Sequence, residues 1–165
     1  MAQSENQRYL SFSLGGERYA VEVQKVHEVL EYTRITPLPR MDIFMKGIID
    51  LRGTGIPVVD LRLKFGLPEA PINKDSAIIV LEVGGQGASA VMGALVDAVE
   101  EVVELPPESI DAPPRLGSRL AVDGVIGVAK REDGFIVLID MDELFHADEQ
   151  SSMALAQEPA TADAV

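Results

Sequence analysis

The sequence predicts an all-β fold: two small antiparallel barrels packed about a pseudo-twofold axis, with short helical segments. Three observations point there. Short apolar runs are broken by 14 Gly and 10 Pro, and such punctuation favours turn-rich β structure. Several runs alternate apolar and polar residues, the period-2 signature of a half-buried strand. The order of runs also occurs twice, which indicates an internal duplication. Two copies are too few for a solenoid or propeller. About five short strands per copy, closed into a barrel, leave no exposed sheet edge.

Residues 1–7 read as a polar flexible tail. Tyr9–Leu14 places Leu10, Phe12 and Leu14 on one face, and Arg18–Val23 does the same with Tyr19, Val21 and Val23. Gly15-Gly16 joins the two runs into a hairpin. Val26–Tyr32 stays open: Val26, Val29 and Leu30 have helical spacing, but the β-branched content also suits a turn leading into a strand. Pro37 and Pro39 make Ile35–Arg40 a loop or an edge. Gly47–Leu51 and Ile56–Leu61 form a second hairpin around Arg52-Gly53-Thr54-Gly55. Arg62–Gly66 reads as a short helical turn closed by Gly66 and followed by Pro68.

The pattern then returns. Ala77–Val83 ends at Gly84-Gly85 as Leu14 ends at Gly15-Gly16, an offset of 69 residues. Ala88–Val96 follows as the returning run. Val99-Glu100-Glu101-Val102 matches Val26-His27-Glu28-Val29 at an offset of 73, and Pro113-Pro114 falls near the place of Pro37 and Pro39. Gly124-Val125-Ile126 matches Gly47-Ile48-Ile49 at 77, and Leu138-Ile139-Asp140 matches Val58-Val59-Asp60 at 80. The expected organisation is one domain over 8–146, with a first barrel at about 8–68, a second at about 76–146 and a flexible tail at 148–165. Barrels this small have marginal cores of their own. They should therefore share a core interface, with a groove between them as a natural binding site.

Charge and composition remove several function classes. A net charge of −13 repels phosphate backbones and anionic lipid surfaces. With no cysteine, disulfide scaffolds, Cys-ligated zinc and thiol catalysis are excluded. No apolar run approaches the roughly 18–20 residues of a membrane helix, and Met1–Arg8 lacks a signal-peptide pattern. The expectation is a soluble cytoplasmic protein that is not an enzyme and holds no cofactor or metal. His27 and His146 lack ligand spacing. Asp60 and Asp140 occupy equivalent positions, each between an apolar strand and a short helical run, and read as helix N-caps rather than a carboxylate dyad. Gly84-Gly85-Gln86-Gly87 reads as a hairpin tip, not a phosphate cradle. What remains is a constellation of Val26, Glu28, Gly47, Asp50, Arg52 and Gly53. Arg52 needs an acceptor, either Glu28 or a carboxylate on a partner. Gly47 and Gly53 read first as backbone-geometry residues.

At these residues the chain resembles the CheW family of bacterial chemotaxis adaptors. The likeness covers about Arg8 to Phe145. Its strongest segment is Lys46-Gly-Ile-Ile-Asp-Leu-Arg-Gly-Thr-Gly-Ile-Pro-Val-Val-Asp-Leu-Arg62, similar to the family's G-x-x-N-L-R-G-x-x-x-P-V-x-D-L-R core. Tyr9–Leu14, Tyr19–Val29, Gly93, Val96-Asp97 and Phe135–Asp140 support it. Asp50 departs from the usual Asn and leaves the Leu-Arg-Gly turn intact.

The resemblance implies two SH3-like five-stranded barrels and a non-catalytic scaffold. Such a scaffold bridges the cytoplasmic tips of membrane-bound chemoreceptors to the histidine kinase CheA. It packs on CheA's regulatory domain, which is similar to the family itself, and joins other copies in rings. Carried over by position, receptor contact falls on Val26, Glu28, Gly47, Arg52, Gly93 and Val102. Kinase contact falls on Leu38 and Ile56, and ring contact of the same class on Leu116. The alternatives are a similar scaffold in a non-chemotactic receptor–kinase pathway, a small-ligand sensor using the groove, and a hydrolase using Asp60 or Asp140.

Overall fold

The structure, a computed structural model, describes residues 7–84, 90–112, 115–116, 119–120, 124–132 and 134–144. Gln7 opens the first strand rather than ending a tail. Residues 1–6 and 148–165, Gly85-Gln86-Gly87, Pro113-Pro114 and His146 lie outside the described residues. The first half of the chain supplies β1 (Gln7–Leu14), β2 (Glu17–Glu22), β3 (Val26–Glu31), β4 (Met45–Leu51), β5 (Thr54–Asp60) and α1 (Leu61–Lys64). The second supplies β6 (Ala77–Val83), β7 (Ala90–Val96), β8 (Ala98–Leu105), β9 (Ile110–Asp111), β10 (Arg115–Leu116), β11 (Arg119–Leu120), β12 (Val125–Arg131), β13 (Gly134–Ile139) and α2 (Met141–Leu144).

The segment left open by the sequence is strand β3. Val26, Glu28 and Leu30 are half-buried and His27, Val29 and Glu31 exposed, the alternation that a pleated strand imposes. Ile35–Arg40 is a loop with one edge contact, a bridge from Thr36 to Ile48.

The sheets have six strands, ordered β8-β1-β2-β13-β12-β9, and five, ordered β3-β6-β7-β5-β4. Exchanging β1 for β6, β2 for β7, β3 for β8, β4 for β12 and β5 for β13 turns one order into the other, with β9 added at one edge. The duplication is thus written into the topology. The same topology corrects the boundaries at 8–68 and 76–146, because each repeated sheet takes two strands from one half and three from the other. The chain crosses between sheets at the 3-10 turn Val23–Lys25. The halves are then joined by parallel pairs, β2 with β13 and β5 with β7, a pairing that a tight hairpin cannot make.

Pairing also corrects the alignment of the two copies. Gly47 pairs with Val58, and Gly127 with Leu138. Since Val58 and Leu138 correspond, the equivalent of Gly47 is Gly127, not Gly124.

Strand exchange buries the central strands on both faces. Leu10, Phe12 and Leu14 of β1 meet Ile79, Leu81 and Val83 of β6 in the core between the sheets, which also takes Leu61, Met141 and Leu144 from the helices. Tyr9 faces the other way, with Ala20, Val103, Ile136 and Leu138. Ile78 does so in the second sheet, with Ile49, Ile56, Val58 and Leu95. Two buried faces explain why β6 reads as a nearly unbroken apolar run. Each fully buried Phe, Leu or Met in these cores contributes about 1.5–3 kcal/mol.

Candidate functional site

The β4–β5 ladder continues to Leu51 opposite Thr54. The hairpin loop is therefore Arg52-Gly53 alone, two residues shorter than the sequence suggested. Both residues have positive φ, 52° and 89°, the type I′ geometry that matches strand twist. Asp50 Oδ1 accepts the Gly53 N–H at 2.9 Å, a bond that an Asn side-chain oxygen also makes.

From this turn Arg52 reaches back to β3. Its Nη1 donates to Glu28 Oε2 at 2.8 Å and its Nη2 to Glu28 Oε1 at 3.0 Å. Arg52 thus has its acceptor on its own chain. Glu28 is aimed there by a bulge, since Val26 pairs with Leu81 but Glu28 with Val80, and bulges re-aim side chains. The bidentate pair joins the two ends of the sheet order, β3 and the β4–β5 turn. The Arg52 guanidinium holds the Glu28 carboxyl below its usual range.

The other candidate residues divide into surface and support. Val102 is 53% exposed on β8 and its equivalent, Val29, 43% exposed on β3. Val26 is half-buried against the core between the sheets. Gly47 and Gly93 are buried. A Cβ at Gly47, where φ is 139°, would overlap the Thr36 carbonyl oxygen and lie 2.9 Å from Pro37 Cα. One at Gly93 would lie 2.7 Å from Ile78 Cγ2. Gly47 has no room for a Cβ because the Thr36-Pro37 backbone passes over it, and Gly93 because the Ile78 side chain fills that space. Ile56 is buried, 3% exposed, among Ile49, Val58 and Ile78. Leu38 is exposed in the proline loop. Leu116 lies in β10, paired with Arg119, and its side chain is outside the described residues.

Asp60 and Asp140 cap the two short helices. Asp60 Oδ1 accepts the Arg62 N–H and Asp140 Oδ1 the Asp142 N–H, each at 2.9 Å. Burial raises the Asp60 pKa, against the pull of its backbone N–H donors. His27 is exposed and 3.5 Å from Glu82. Among the described residues no three His, Asp or Glu group together as metal ligands.

Two polar clasps went unread in the sequence. Arg62 Nη1 reaches Asp97 Oδ2 at 2.7 Å, and the same oxygen accepts the Gly15 N–H at 2.8 Å. Lys25 Nζ reaches Asp142 Oδ2 at 2.9 Å, and Asp142 Oδ1 accepts the Gly84 N–H at 2.8 Å. The signal was present: each clasp sits on a glycine turn that the duplication had already paired. What was missing was the strand exchange that brings them together.

Residues 8–149 match the family model of the CheW-like domain. The chain belongs to the CheW family. This is a family of non-enzymatic chemotaxis scaffolds. The chain is 31% identical over 145 residues to the chemotaxis protein CheW of Klebsiella aerogenes, covering 88% of this chain and 85% of that one. It is 31% identical over 150 residues to protein FrzA of Myxococcus xanthus, covering 90% and 91%. The crystal structure of the scaffolding protein TtCheW from Thermoanaerobacter tengcongensis superposes with a TM-score of 0.75 at 38% identity, covering 87% of this chain and 95% of that one. Among the described residues, no helix is long and apolar enough to cross a membrane.

Proposed function

We propose that this chain is a non-catalytic adaptor that couples chemoreceptor cytoplasmic tips to the regulatory domain of the histidine kinase CheA, so that receptors control the kinase's autophosphorylation. It works in the cytoplasm, held at receptor arrays by its protein partners, and joins further copies in rings. Family membership over residues 8–149 carries the reading. On the receptor side, Val102 and Val26 supply apolar surface for a helical hairpin and the Arg52–Glu28 pair a polar clamp. Gly47 and Gly93 act from behind by letting the strands pass closely. On the kinase side, Leu38 and Leu116 make contact, and Ile56 supports the hairpin under it. Weak interfaces of this kind become effective through multivalency in an array.

The test uses Val102→Asp and Arg52→Ala in a reconstituted receptor–kinase–adaptor assembly. Both variants should weaken receptor control of the kinase while leaving direct kinase binding within about twofold, since neither touches the kinase side. Normal receptor control by both folded variants would sink the receptor assignment. Gly47→Asp is no substitute, because with no room for a Cβ it would report on folding.

A further inference from the structure

Each sheet curls about its own core, and equivalent ends of the two cores are finished differently. In the five-stranded sheet, Val80 lies opposite Glu28 at the β3 bulge. Leu51 and Val91 pack on the core there, and the Arg52–Glu28 pair closes that end. The six-stranded sheet carries the matching bulge, between the pairs Leu10–Val102 and Phe12–Val99. There the equivalents of Val80, Val91, Leu51, Glu28 and Arg52 are Ser11, Arg18, Arg131, Glu101 and Glu132. Three apolar positions have become polar or cationic. The closing pair is chemically impossible, because both of its positions are now acids. Arg18, Glu101, Lys130, Arg131 and Glu132 instead line an open cavity of about 760 Å³.

The lining holds three cations and two acids in a chain whose net charge is −13. Arg18 lies 3.5 Å from Glu100. The buried Ser11 hydroxyl is already used, donating to the Glu101 carbonyl at 2.9 Å and accepting the Glu101 N–H at 3.2 Å. It fixes the bulge beneath the charged lining residues. Two guanidiniums and an ammonium around one cavity are the donor set for an oxyanion, each guanidinium offering a planar fork. The cavity falls within the ~300–1,000 Å³ range of small-molecule sites.

We infer that this open end binds a small ligand bearing a doubly charged oxyanion, a dicarboxylate or a phosphate, held between Arg18, Lys130 and Arg131. Glu101 and Glu132 restrict it to small anions, since a larger negative charge would meet both acids.

The test is an amide NMR titration of the full chain with succinate and, separately, inorganic phosphate, with ionic strength held constant by sodium chloride. Saturable shifts centred on Arg18, Glu101 and Arg131 are expected for at least one probe, and the tighter probe assigns the oxyanion. Arg131→Gln should weaken that binding about tenfold, the loss of one charge-assisted pair. Lys130→Gln, a change at an exposed strand position that does not endanger folding, should weaken it about threefold. Arg52→Gln, at the closed end of the other sheet, should leave it unchanged. Non-saturable shifts spread over the molecule's cations with both probes would overturn the proposal. So would saturable binding that Arg131→Gln and Lys130→Gln leave intact.

Discussion

At the end of β5, Arg62 reaches Asp97, which accepts the Gly15 amide; at the end of β13, Asp142 reaches Lys25 and itself accepts the Gly84 amide. Arg62 and Asp142 are equivalent residues of the two copies, yet they carry opposite charge. In both copies a hairpin amide meets a carboxylate with a cation beside it, and a different element supplies the acid in each. The two clasps also differ in setting. The Arg62 side chain is 15% exposed and that of Lys25 37%, and Arg62 Nε donates further to the Pro68 carbonyl at 2.8 Å. Equivalent geometry therefore need not mean equivalent strength, because burial decides what an unpaired charge costs.

The largest contrast between the halves is expected at their glycines. Gly47→Ala forces a Cβ into backbone at positive φ and should cost about 4 kcal/mol. Gly127→Ala meets Ile110 Cγ2 at 2.6 Å, a side chain that can move, although the Asp111 carbonyl oxygen is at 3.0 Å. Its cost should be about 2 kcal/mol. Urea unfolding of both variants measures the difference; equal costs would show that side-chain relaxation does not separate the two sites.

The clasps come next. Asp97→Ala leaves a mostly buried guanidinium and the Gly15 N–H without their carboxylate and should cost about 3 kcal/mol. Asp142→Ala should cost about 1 kcal/mol. Copying the second clasp into the first, with Arg62→Asp and Asp97→Lys together, should recover at least half of the Asp97→Ala loss. If the double variant is no better, then the sign of charge is fixed by surroundings and the clasps are not interchangeable.

These contrasts mark how far the sequence could be read. Strand alternation, the hairpins and the duplication were legible because they rest on neighbouring residues. The N-caps at Asp60 and Asp140 were legible for the same reason. The exchange of strands was not, since the parallel pairs β2–β13 and β5–β7 join residues far apart in the chain. Matching letters also aligned Gly47 with Gly124, whereas pairing sets Gly127. The burial of Gly47 depends on Thr36 crossing it, and that of Ile56 on Ile78 arriving from the other half. Arg52 and Glu28 were correctly suspected as partners, but the bulge that brings Glu28 within reach has no sequence signal of its own.

Two smaller effects separate the halves by pH. The hydrogen bond to Asp142 raises the Lys25 pKa above its usual value of 10.5. A raised folded pKa gives stability that is full below the unfolded value and is lost as pH rises through the folded one. Thermal melts should therefore fall more steeply above pH ~10.5 in the native chain than in Asp142→Asn. At the other limit, Arg52 lowers the Glu28 pKa from 4.5. That contribution is present above 4.5 and is lost as pH falls through the lowered value. Glu28→Gln should remove this part of the acid limb, a small change at an exposed pair that salt should shrink further.

The central claim is that this scaffold serves as an adaptor with separate receptor and kinase surfaces. The most direct measurement is calorimetric titration of the full chain with the CheA regulatory domain of the same organism, using the native chain, Arg52→Ala and Leu38→Asp. The account predicts saturable one-to-one binding that Arg52→Ala retains and Leu38→Asp weakens by about tenfold, the effect of placing a charge in an apolar contact. No binding by a native chain whose circular dichroism shows folded β structure would contradict it.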